Sequence, residues 1–496
     1  MAEAYPIILQ NKITTHNPII VVGGGIAGVS CAESLSVQNI KLPILLVSGS
    51  PVVKRAVNIR NESGTVLNFD IEELSLGSLT TEINRVKVLY GIVTTLIAEH
   101  NAVTINNNFS IRYSKLCICT GATPQLIGDE STCVYGIRDT DSVELVQAKL
   151  RDSRRVVIVG NGGIALELVY KIKGTEVVWV IRDNAIGSVF LDKGAAQFML
   201  SEMGNKETRN KDKKGFRYIQ GSKGNLAYAP GGVHIRGSAL GPDWTDELDI
   251  DDVLTGKNIR IEYNCEIKHI QLQETNNSMV EGYNREWPVH VLLTNSKIIE
   301  CDMVVSATGV QPNVYPFSKD SHLKISTDGG IIIDEEMRTS LPNVYAAGDA
   351  CTVNWTGSAI EDNFWFQMRL WTQALQMGNY AGKCIASHLN DEYILQDFCF
   401  ELFTHSTKFF GHKVILLGNF HAAGLDKIDV EFLLRYGKGD EYIKIVLFQE
   451  KMVGAVLIGE TGLEEMCENL ILNQLNLTDL KDNILNPDID MEGYFD

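Results

Sequence analysis

The chain has 496 residues, of which 45% are hydrophobic and 21% charged, a balance typical of a globular protein with several domains. Its formal net charge of −18 argues against nucleic-acid backbone as the main partner, because phosphate binding needs a basic surface. The sequence also has no apolar run near the roughly 20 residues that a membrane span requires. We therefore expect neither direct nucleic-acid binding nor membrane insertion.

The first predicted strand, residues 19–22, runs into the glycine cluster of "IIVVGGGIAGVS" and then into a helix. Gly23 permits a tight turn at the strand end, Gly25 lets the backbone approach a pyrophosphate, and Gly28 allows the helix to pack closely on the strand. The N-terminus of the helix offers unpaired N–H groups to the anion. The pattern predicts a dinucleotide-binding site, although a tight turn without a ligand would use the same residues.

A second strand is predicted at residues 43–50, and it ends near Ser48 instead of an acid. About 20 residues after the glycines an acid usually binds the ribose 2′-hydroxyl, so we expect the Ser48 hydroxyl to make a weaker contact there. Short strands follow at residues 86–93 and 115–122. Strands that alternate with helical patterns indicate a doubly wound parallel sheet.

The glycine pattern returns in "VVIVGNGGIALELV", where its three positions are Gly160, Gly162 and Ala165. The second strand of this unit ends in Ile181 and Arg182, with no carboxylate in the position that usually binds the ribose. A 2′-phosphate is therefore tolerated, and Arg182 could pair with it or could simply be solvated. We expect the unit to accept NADPH as well as NADH.

The remaining elements are predicted from composition and periodicity. Residues 204–240 are rich in Gly, Lys and Asn and are interpreted as an inserted loop that contains no sheet strand. Residues 364–385 have a helical pattern. From about residue 396 the pattern changes to antiparallel strands, two of them joined by the "GKGD" turn, and then to a final helix. That helix is predicted to start at Thr461, with Glu464 completing a capping box.

The fold class predicted from these elements is α/β, with two Rossmann-like doubly wound domains and a C-terminal antiparallel β + α domain. The chain is divided into a first FAD-domain segment at 1–150, an NAD(P) domain at 151–300, a second FAD-domain segment at 301–395 and an interface-type domain at 396–496. The last domain ends in the acidic tail "NPDIDMEGYFD". The tail could be an interaction peptide anchored by Tyr494 and Phe495, or an ordinary solvated terminus.

The motifs "GGGIAG", "CTGA", "GNGGIALE", "SATGVQPN" and "TSLPNVYAAGD", in this order, resemble the pyridine nucleotide-disulphide oxidoreductases, a family of flavoproteins that bind two dinucleotides. The resemblance implies FAD in the first unit and NADH or NADPH as electron donor in the second. The implied FAD contacts are Gly23, Gly25, Ile26, Ala27, Gly28, Ser48, Lys54, Val93, Thr120, Gly121, Gly348 and Asp349. The implied NAD(P) contacts are Gly160, Gly162, Ile164, Glu167, Arg182 and Gly309.

The resemblance implies specific roles for three side chains. Asp349 would accept a hydrogen bond from a ribityl hydroxyl of the flavin. Lys54 would place a cation near the flavin ring and stabilise its reduced form, although an exposed loop lysine is the alternative. Glu167 would face the nicotinamide, or would be an acid favoured by the helix dipole. Lys54 and Glu167 are candidates for catalytic residues, and no catalytic residue is assigned from the sequence.

The cysteines do not fit disulphide reduction, which needs both an attacking and a resolving sulphur. The segment "SPVVKRAVNIRNESG", where the family places its redox cysteines, contains none, and Cys-x-x-Cys does not occur. Cys117 and Cys119 are interpreted as ordinary buried strand cysteines, and Cys351 as a packing thiol. No His/Cys cluster has metal spacing, so no metal site is expected.

Two functions remain open at this point. One is an NAD(P)H oxidoreductase that acts on a thiol, a quinone or oxygen. The other is a slow flavoprotein whose reduced state binds and protects a partner. Segments such as "SALGPDW" and "QMRLWTQALQMG" resemble a subfamily associated with the catalytic subunit of the RNA-splicing tRNA ligase, which implies that partner. Ten scattered cysteines and an N-terminus without a basic leader predict the cytoplasm and nucleus.

Overall fold

The computed structural model describes residues 17–128, 133–204, 217–220, 259–272, 287–319, 321–355, 364–426, 428–437 and 441–486. Most of the predicted insertion at 204–240 lies outside this part of the chain, and so does the acidic tail after Asn486, including Tyr494 and Phe495. The middle of the "GKGD" turn, residues 438–440, also lies outside it.

The strands of the described residues are β1 Ile19–Val22, β2 Ile44–Ser48, β3 Val52–Asn61, β4 Leu67–Ser75, β5 Val86–Tyr90, β6 Val93–Ile97, β7 Ala102–Ile105, β8 Phe109–Arg112, β9 Lys115–Ile118, β10 Ala122–Pro124, β11 Val134–Tyr135, β12 Arg155–Val159, β13 Glu176–Val180, β14 Arg217–Gln220, β15 Ile259–Glu262, β16 Ile267–Leu272, β17 Val289–Leu293, β18 Ile298–Cys301, β19 Met303–Ser306, β20 Val310–Pro312, β21 Ile331–Ile333, β22 Val344–Ala346, β23 Cys351–Val353, β24 Thr404–Phe409, β25 His412–Gly418, β26 Val430–Gly437, β27 Glu441–Phe448 and β28 Lys451–Ile458. Their α-helices are α1 Ile26–Val37, α2 Leu76–Glu82, α3 Thr140–Arg151, α4 Gly163–Lys171, α5 Lys193–Gly204, α6 Tyr315–Ser318, α7 Trp371–Leu389 and α8 Glu464–Asn473.

The chain divides into two compact units. Unit 1 contains the described residues of Met1–Thr123 and Gln311–Leu402, and unit 2 contains those of Pro124–Val310 and Phe403–Asp496. The sequence-based boundary at residue 150 falls inside unit 2, because β11 pairs in parallel with β19 of that unit. The C-terminal region, predicted as a separate domain, belongs to unit 2 from Phe403 onward.

Unit 1 is built on a five-stranded sheet in the order β22-β9-β1-β2-β5, and all of its described strand pairs are parallel. The apolar runs that form these strands are buried, as expected for a parallel sheet covered on both faces. Helix α7 packs closely on α1, because a Cβ at Gly378 would lie 2.2 Å from the carbonyl oxygen of Ala27. The close contact therefore requires glycine at residue 378.

The helix predicted at 364–385 begins later than expected. Residues 364–370 precede α7, which runs from Trp371 to Leu389. Arg369 has a φ of 55°, in the left-handed region that a right-handed α-helix does not use. The helix therefore cannot extend back through this residue, and the first third of the prediction is wrong.

Unit 2 contains a second parallel sheet in the order β11-β19-β12-β13-β15 and an antiparallel sheet in the order β14-β26-β27-β28-β25-β24. The predicted hairpin around "GKGD" is confirmed, since Gly437 pairs with Glu441 at its end. Two parallel sheets with helices and one antiparallel sheet confirm the predicted α/β class. They also confirm the two Rossmann-like domains.

Two local predictions for unit 2 are wrong. The segment 204–240 was expected to contain no strand, but β14 pairs antiparallel with β26 along its whole length, which satisfies the backbone groups on that side of the strand. The final helix starts at Glu464 after Leu463, without a side-chain cap. Thr461 does not cap it, and the carboxylate of Glu464 instead accepts a hydrogen bond of 3.2 Å from Lys413. A nearby cation thus replaces the predicted capping box.

The core of unit 2 contains a buried ion pair. Lys444, in the middle of β27, is 0% exposed, and its Nζ lies 2.8 Å from an oxygen of Asp192, which is 1% exposed. The other carboxylate oxygen of Asp192 accepts hydrogen bonds from the Tyr442 hydroxyl at 2.8 Å and from the Ala195 N–H at 2.7 Å. Although burial opposes ionisation, Lys444 lowers the pKa of Asp192 below its usual value. The pair joins the antiparallel sheet to the segment that leads into α5.

Two histidines, His421 buried and His405 half-buried, predict an acid-sensitive unit 2. Burial lowers the pKa of both His405 and His421 to about 4, while an unfolded histidine titrates near 6.5. Between these values the unfolded chain binds protons that the folded chain does not bind. Stability should therefore fall as the pH drops from about 6.5 to 4, by about 3 kcal/mol for each histidine.

Urea unfolding at several pH values checks this prediction. His405→Phe removes one titrating group and keeps a ring against Phe190, whose centroid lies 5.9 Å from that of His405. This variant should lose about half of the pH dependence in that window. An unchanged slope would show that His405 does not stay neutral in the folded protein.

Candidate functional site

The first glycine turn is closed by backbone packing that only glycine permits. Gly23 follows β1 with a φ of +123°, and a Cβ there would lie 2.1 Å from the carbonyl oxygen of Cys119. A Cβ at Gly28 would lie 1.9 Å from the carbonyl oxygen of Gly23. Both positions therefore need glycine for the fold itself, because no side chain fits and the φ of Gly23 is strained for other residues.

Gly25 is different, because a Cβ there would meet no atom within 4 Å. Its φ of −79° is open to any residue, so the fold does not require glycine at this position. Gly25 is the N-cap of α1, which has no side-chain cap and no acid in its first turn. The first N–H groups of α1, from Ile26 and Ala27 onward, therefore face open space and fit a pyrophosphate.

Thr120 and Gly121 follow β9 and are held by Asn313. The Thr120 hydroxyl donates to the Asn313 carbonyl at 2.7 Å, and the Asn313 side chain donates to the Thr120 carbonyl at 3.0 Å. The Asn313 N–H donates to the Gly121 carbonyl at 2.9 Å. Gly121 has a φ of +66°, and a Cβ there would meet nothing within 4 Å. Sequence reasoning missed Asn313, although it lies in the quoted motif "SATGVQPN".

Gly348 and Asp349 lie at the turn after β22. Gly348 has a φ of +72°, and a Cβ there would lie 2.8 Å from the Cβ of Ala27, so this turn packs on the start of α1. Burial raises the pKa of Asp349, and the charge of Arg369 partly opposes that shift. The Arg369 guanidinium donates to the Asp349 carbonyl at 3.2 Å and to Asp328 at 2.6 Å. Arg369, which fixes this turn, was not among the predicted residues.

Ser48 and Val93 are buried side chains of unit 1. The Ser48 hydroxyl donates to the carbonyl of Ser50 at 2.9 Å and accepts from the N–H of Ser50 at 3.2 Å. It is therefore engaged by its own turn, with a single lone pair left for a ribose. Val93 starts β6 and is 4% exposed, so it contributes packing.

Lys54 lies on β3, beside the first glycine turn. Its N–H donates to the carbonyl of Gly24 at 2.8 Å, which fixes the strand against the turn. Its Nζ lies 3.6 Å from a carboxylate oxygen of Glu73 and 6.0 Å from the ring centroid of Trp371. Lys54 is thus a positioned cation, 22% exposed, on the hairpin that β3 and β4 form.

The second glycine turn repeats the first. Gly160 has a φ of +126°, and a Cβ there would lie 2.1 Å from the carbonyl oxygen of Ala307. Gly162 is the N-cap of α4, with no side-chain cap, and a Cβ there would meet nothing within 4 Å. Gly309 has a φ of +112° and is equally open, and Ile164 is exposed on the first turn of α4. This open helix N-terminus fits a second pyrophosphate.

Asn161, inside the glycine pattern, organises the loop after β13. The nitrogen of its side-chain amide lies 2.9 Å from Asp183, 2.9 Å from the Ala185 carbonyl and 2.8 Å from the Ser188 hydroxyl, and its two hydrogens serve two of these acceptors at a time. Its oxygen accepts from the Gly187 N–H at 2.5 Å. Asp183, the acid nearest to the ribose position, is therefore already engaged. Asn161 was also not predicted from the sequence, although it is the second residue of the motif "GNGG".

Glu167 and Arg182 are exposed and weakly paired. The Glu167 carboxylate lies 3.3 Å from the Nζ of Lys171, one turn further along α4. The Arg182 guanidinium lies 3.8 Å from the carboxylate of Glu266, and both side chains are more than half exposed. Such surface pairs contribute little energy, so both residues are free to change partners when a ligand binds.

All ten cysteines are free thiols, and nine of them are buried. The β3–β4 hairpin contains none of them. The sulphurs of Cys117 and Cys119 lie 3.5 Å apart. Over the described residues, His, Cys, Asp and Glu form no group of three that could hold a metal ion. No helix in that part of the chain is long and apolar enough to span a membrane.

A family model described as pyridine nucleotide-disulphide oxidoreductase matches residues 17–230 and 234–378. The chain is 45% identical over 497 residues to the human (Homo sapiens) protein named "Pyridine nucleotide-disulfide oxidoreductase domain-containing protein 1", covering 97% of this chain and 98% of that protein. It is 46% identical over 484 residues to the Danio rerio protein of the same name, covering 96% and 97%.

Among solved structures, the chain resembles the covalent putidaredoxin reductase–putidaredoxin complex with a TM-score of 0.65 and 15% identity. The match covers 93% of this chain and 94% of that one, and at this identity it shows the fold alone. FAD and NAD(P)H are the dinucleotides of this family, and the two open helix N-termini fit them. The chain therefore belongs to the pyridine nucleotide-disulphide oxidoreductase family.

Proposed function

We propose that this NAD(P)H-dependent flavoprotein oxidoreductase works without a redox-active cysteine pair at its flavin. We further propose that its reduced state protects a partner protein from oxidation. The observation that carries the proposal is the β3–β4 hairpin, which bears Lys54 against the first glycine turn and contains no cysteine. A dithiol relay needs two sulphurs next to the flavin, and this hairpin supplies none.

FAD, when bound, takes up a hydride from NAD(P)H. The chain's own residues do the rest of the work in this proposal. The N-termini of α1 and α4 bind the two pyrophosphates, and Asn313 holds Thr120 and Gly121 in place. Lys54 supplies a positive charge where negative charge develops on reduction. With no thiol acceptor beyond the flavin, the reduced protein should be long-lived.

The partner that we propose is the catalytic subunit of the RNA-splicing tRNA ligase, as the subfamily resemblance implies. A tenfold gain in affinity on reduction needs only about 1.4 kcal/mol of coupling, which a small conformational shift can supply. Action on this partner would place the protein in the cytoplasm and nucleus. The acidic tail beyond residue 486 is a candidate contact in this proposal.

Separate measurement of the two half-reactions tests this function. Stopped-flow mixing with NADPH should reduce the flavin rapidly, and mixing with oxygen, a quinone or a disulphide should reoxidise it slowly. Purified ligase subunit should be captured with NADPH and not with NADP⁺. Rapid turnover with a simple disulphide or quinone would instead establish the alternative, a conventional reductase of a small acceptor. Unchanged capture after deletion of residues 486–496 would exclude the tail.

Arg182 is the residue that we expect to bind the 2′-phosphate of NADPH. Its partner Glu266 holds it weakly, so an incoming phosphate can replace that carboxylate. Arg182→Ala should raise the KM for NADPH about fivefold, the equivalent of about 1 kcal/mol, and leave the KM for NADH unchanged. Arg260→Ala, which removes another exposed arginine of unit 2, is the matched control. If wild type and Arg182→Ala have the same KM values for NADPH and for NADH, Arg182 does not bind the 2′-phosphate.

A further inference from the structure

Three buried thiols form a cluster directly beneath the first glycine turn. Cys117 lies in β9, Cys119 follows that strand, and Cys31 lies on α1. The sulphurs of Cys117 and Cys119 are 3.5 Å apart, and both of these thiols perturb the pKa of Cys31. The other thiols of the chain play no part in this cluster's hydrogen bonds, so it is a distinct group.

A covalent bond between Cys117 and Cys119 requires the backbone at Cys119 to move. A disulphide needs a sulphur separation of about 2.05 Å, so the two sulphurs must approach by about 1.5 Å. Alternate residues of a strand have Cα atoms about 6.6 Å apart, inside the upper limit of about 6.8 Å for disulphides. Cys119 follows the end of β9 and lies two residues before Gly121, which has a positive φ. The backbone can therefore shift on the Cys119 side.

The cluster also favours a nucleophilic sulphur at Cys119. The neighbouring thiols of Cys117 and Cys31 lower the pKa of Cys119, although burial opposes this. Hydrogen bonding within the cluster and burial raise the pKa of Cys117. A sulphur with a lowered pKa beside a thiol with a raised pKa is the arrangement in which a pair is oxidised stepwise.

We propose that Cys117 and Cys119 form a peroxide-sensitive dithiol whose oxidation disturbs the FAD-binding turn. The Cys119 thiolate attacks one oxygen of hydrogen peroxide, which breaks the O–O bond, releases water after protonation and leaves a sulphenic acid. Cys117 then attacks that sulphur and expels a second water, which forms the disulphide. Two thiols and one peroxide thus give one disulphide and two waters.

The consequence for FAD follows from the position of Cys119. Its carbonyl oxygen is the atom that a Cβ at Gly23 would meet at 2.1 Å, and its own Cβ lies 3.3 Å from the position of a Cβ at Gly28. The next two residues are Thr120 and Gly121, which Asn313 holds. A backbone shift at Cys119 therefore moves both sides of the turn that fits the pyrophosphate. This inference does not depend on the tRNA ligase proposal.

Thiol trapping with mass spectrometry on the full-length, FAD-loaded protein tests the inference. The protein is exposed to hydrogen peroxide under native conditions, then denatured and alkylated with N-ethylmaleimide. We expect the tryptic peptide after Lys115 to lose two hydrogens and two alkylation sites, with fragment ions that place the bond between Cys117 and Cys119. Dithiothreitol should restore both sites.

Three variants sharpen the test. Cys117→Ala and Cys119→Ala should each abolish the reversible loss of the two alkylation sites. Two variants are used so that the test still holds if one of them folds poorly. Cys467→Ser, which removes a buried thiol of α8 in unit 2, should behave as wild type. Released FAD, measured in a filtrate, should increase about tenfold after peroxide treatment in wild type and Cys467→Ser.

Two outcomes would overturn the inference. One is that Cys117 and Cys119 stay fully alkylatable while other thiols react, or that Cys119 goes directly to sulphinic acid without a disulphide. The other is that the disulphide forms and FAD retention stays unchanged, which contradicts the coupling to the turn. Neither outcome affects the expected reduction of the flavin by NADPH. Failure of this inference is therefore distinguishable from failure of the proposed function.

Discussion

Gly25→Val is expected to give a folded protein that binds no FAD. A side chain at Gly25 meets no atom of the protein within 4 Å, and its φ of −79° suits any residue, so the fold should tolerate the change. The side chain would occupy the space through which the first N–H groups of α1 reach the pyrophosphate. We expect at least about a hundredfold loss of FAD affinity, the equivalent of about 2.7 kcal/mol. Absorbance of the purified protein measures bound flavin directly.

Gly162→Val supplies the matched control in unit 2. This position is equally open, so the variant should fold, retain its FAD and fail to be reduced by NAD(P)H. Gly23→Ala tests a glycine that the fold itself requires. The added methyl group would clash with the carbonyl of Cys119, so this variant should unfold unit 1. If Gly25→Val keeps its flavin at normal affinity, the first helix N-terminus is not the FAD site.

Lys444→Met is expected to destabilise unit 2 by about 3–5 kcal/mol, because it leaves Asp192 buried without its counter-charge. Both side chains are almost completely excluded from water, so the remaining carboxylate must lose its charge or draw in solvent. Urea unfolding followed by tryptophan fluorescence at constant FAD gives the free energy of unfolding. The loss should lessen at pH values below the unfolded pKa of aspartate, about 3.9, where Asp192 is protonated in the unfolded chain.

Two controls separate the ion pair from general disruption. Lys171→Met removes a lysine that is 69% exposed, whose partner Glu167 is also exposed, and should cost no more than about 1 kcal/mol. The double variant Lys444→Met with Asp192→Asn removes both charges and keeps an acceptor for Tyr442 and Ala195, so it should recover part of the loss. A Lys444→Met protein as stable as wild type would show that the pair is not buried in solution.

The features that the sequence predicted well are those whose physics is local. The two glycine turns were predicted because each needs a tight turn, a close backbone approach and a helix start within a few residues. The parallel strands around them were predicted because short apolar runs bounded by glycines have few other uses. The hairpin at Gly437 was predicted from its turn residues for the same reason.

The features that the sequence did not predict depend on partners far away in the chain. Asn313 holds Thr120 across 193 residues, and no periodicity indicates such a pairing. Lys444 interrupts an apolar run, which signals a buried charge, but its partner Asp192 could not be chosen from the sequence. The strand β14 was missed because its pairing with β26 overrides a weak local propensity.

Anaerobic titration of the purified protein, freed from added reductant, with NADPH tests the central claim most directly. We expect a yellow protein whose flavin absorbance is lost with one NADPH for each bound FAD, because the β3–β4 hairpin has no sulphur pair to take up further electrons and Cys117 and Cys119 start as reduced thiols. A colourless protein that refuses added FAD would contradict the assignment of the first site. A requirement for two NADPH for each FAD would contradict the claim that electrons stop at the flavin.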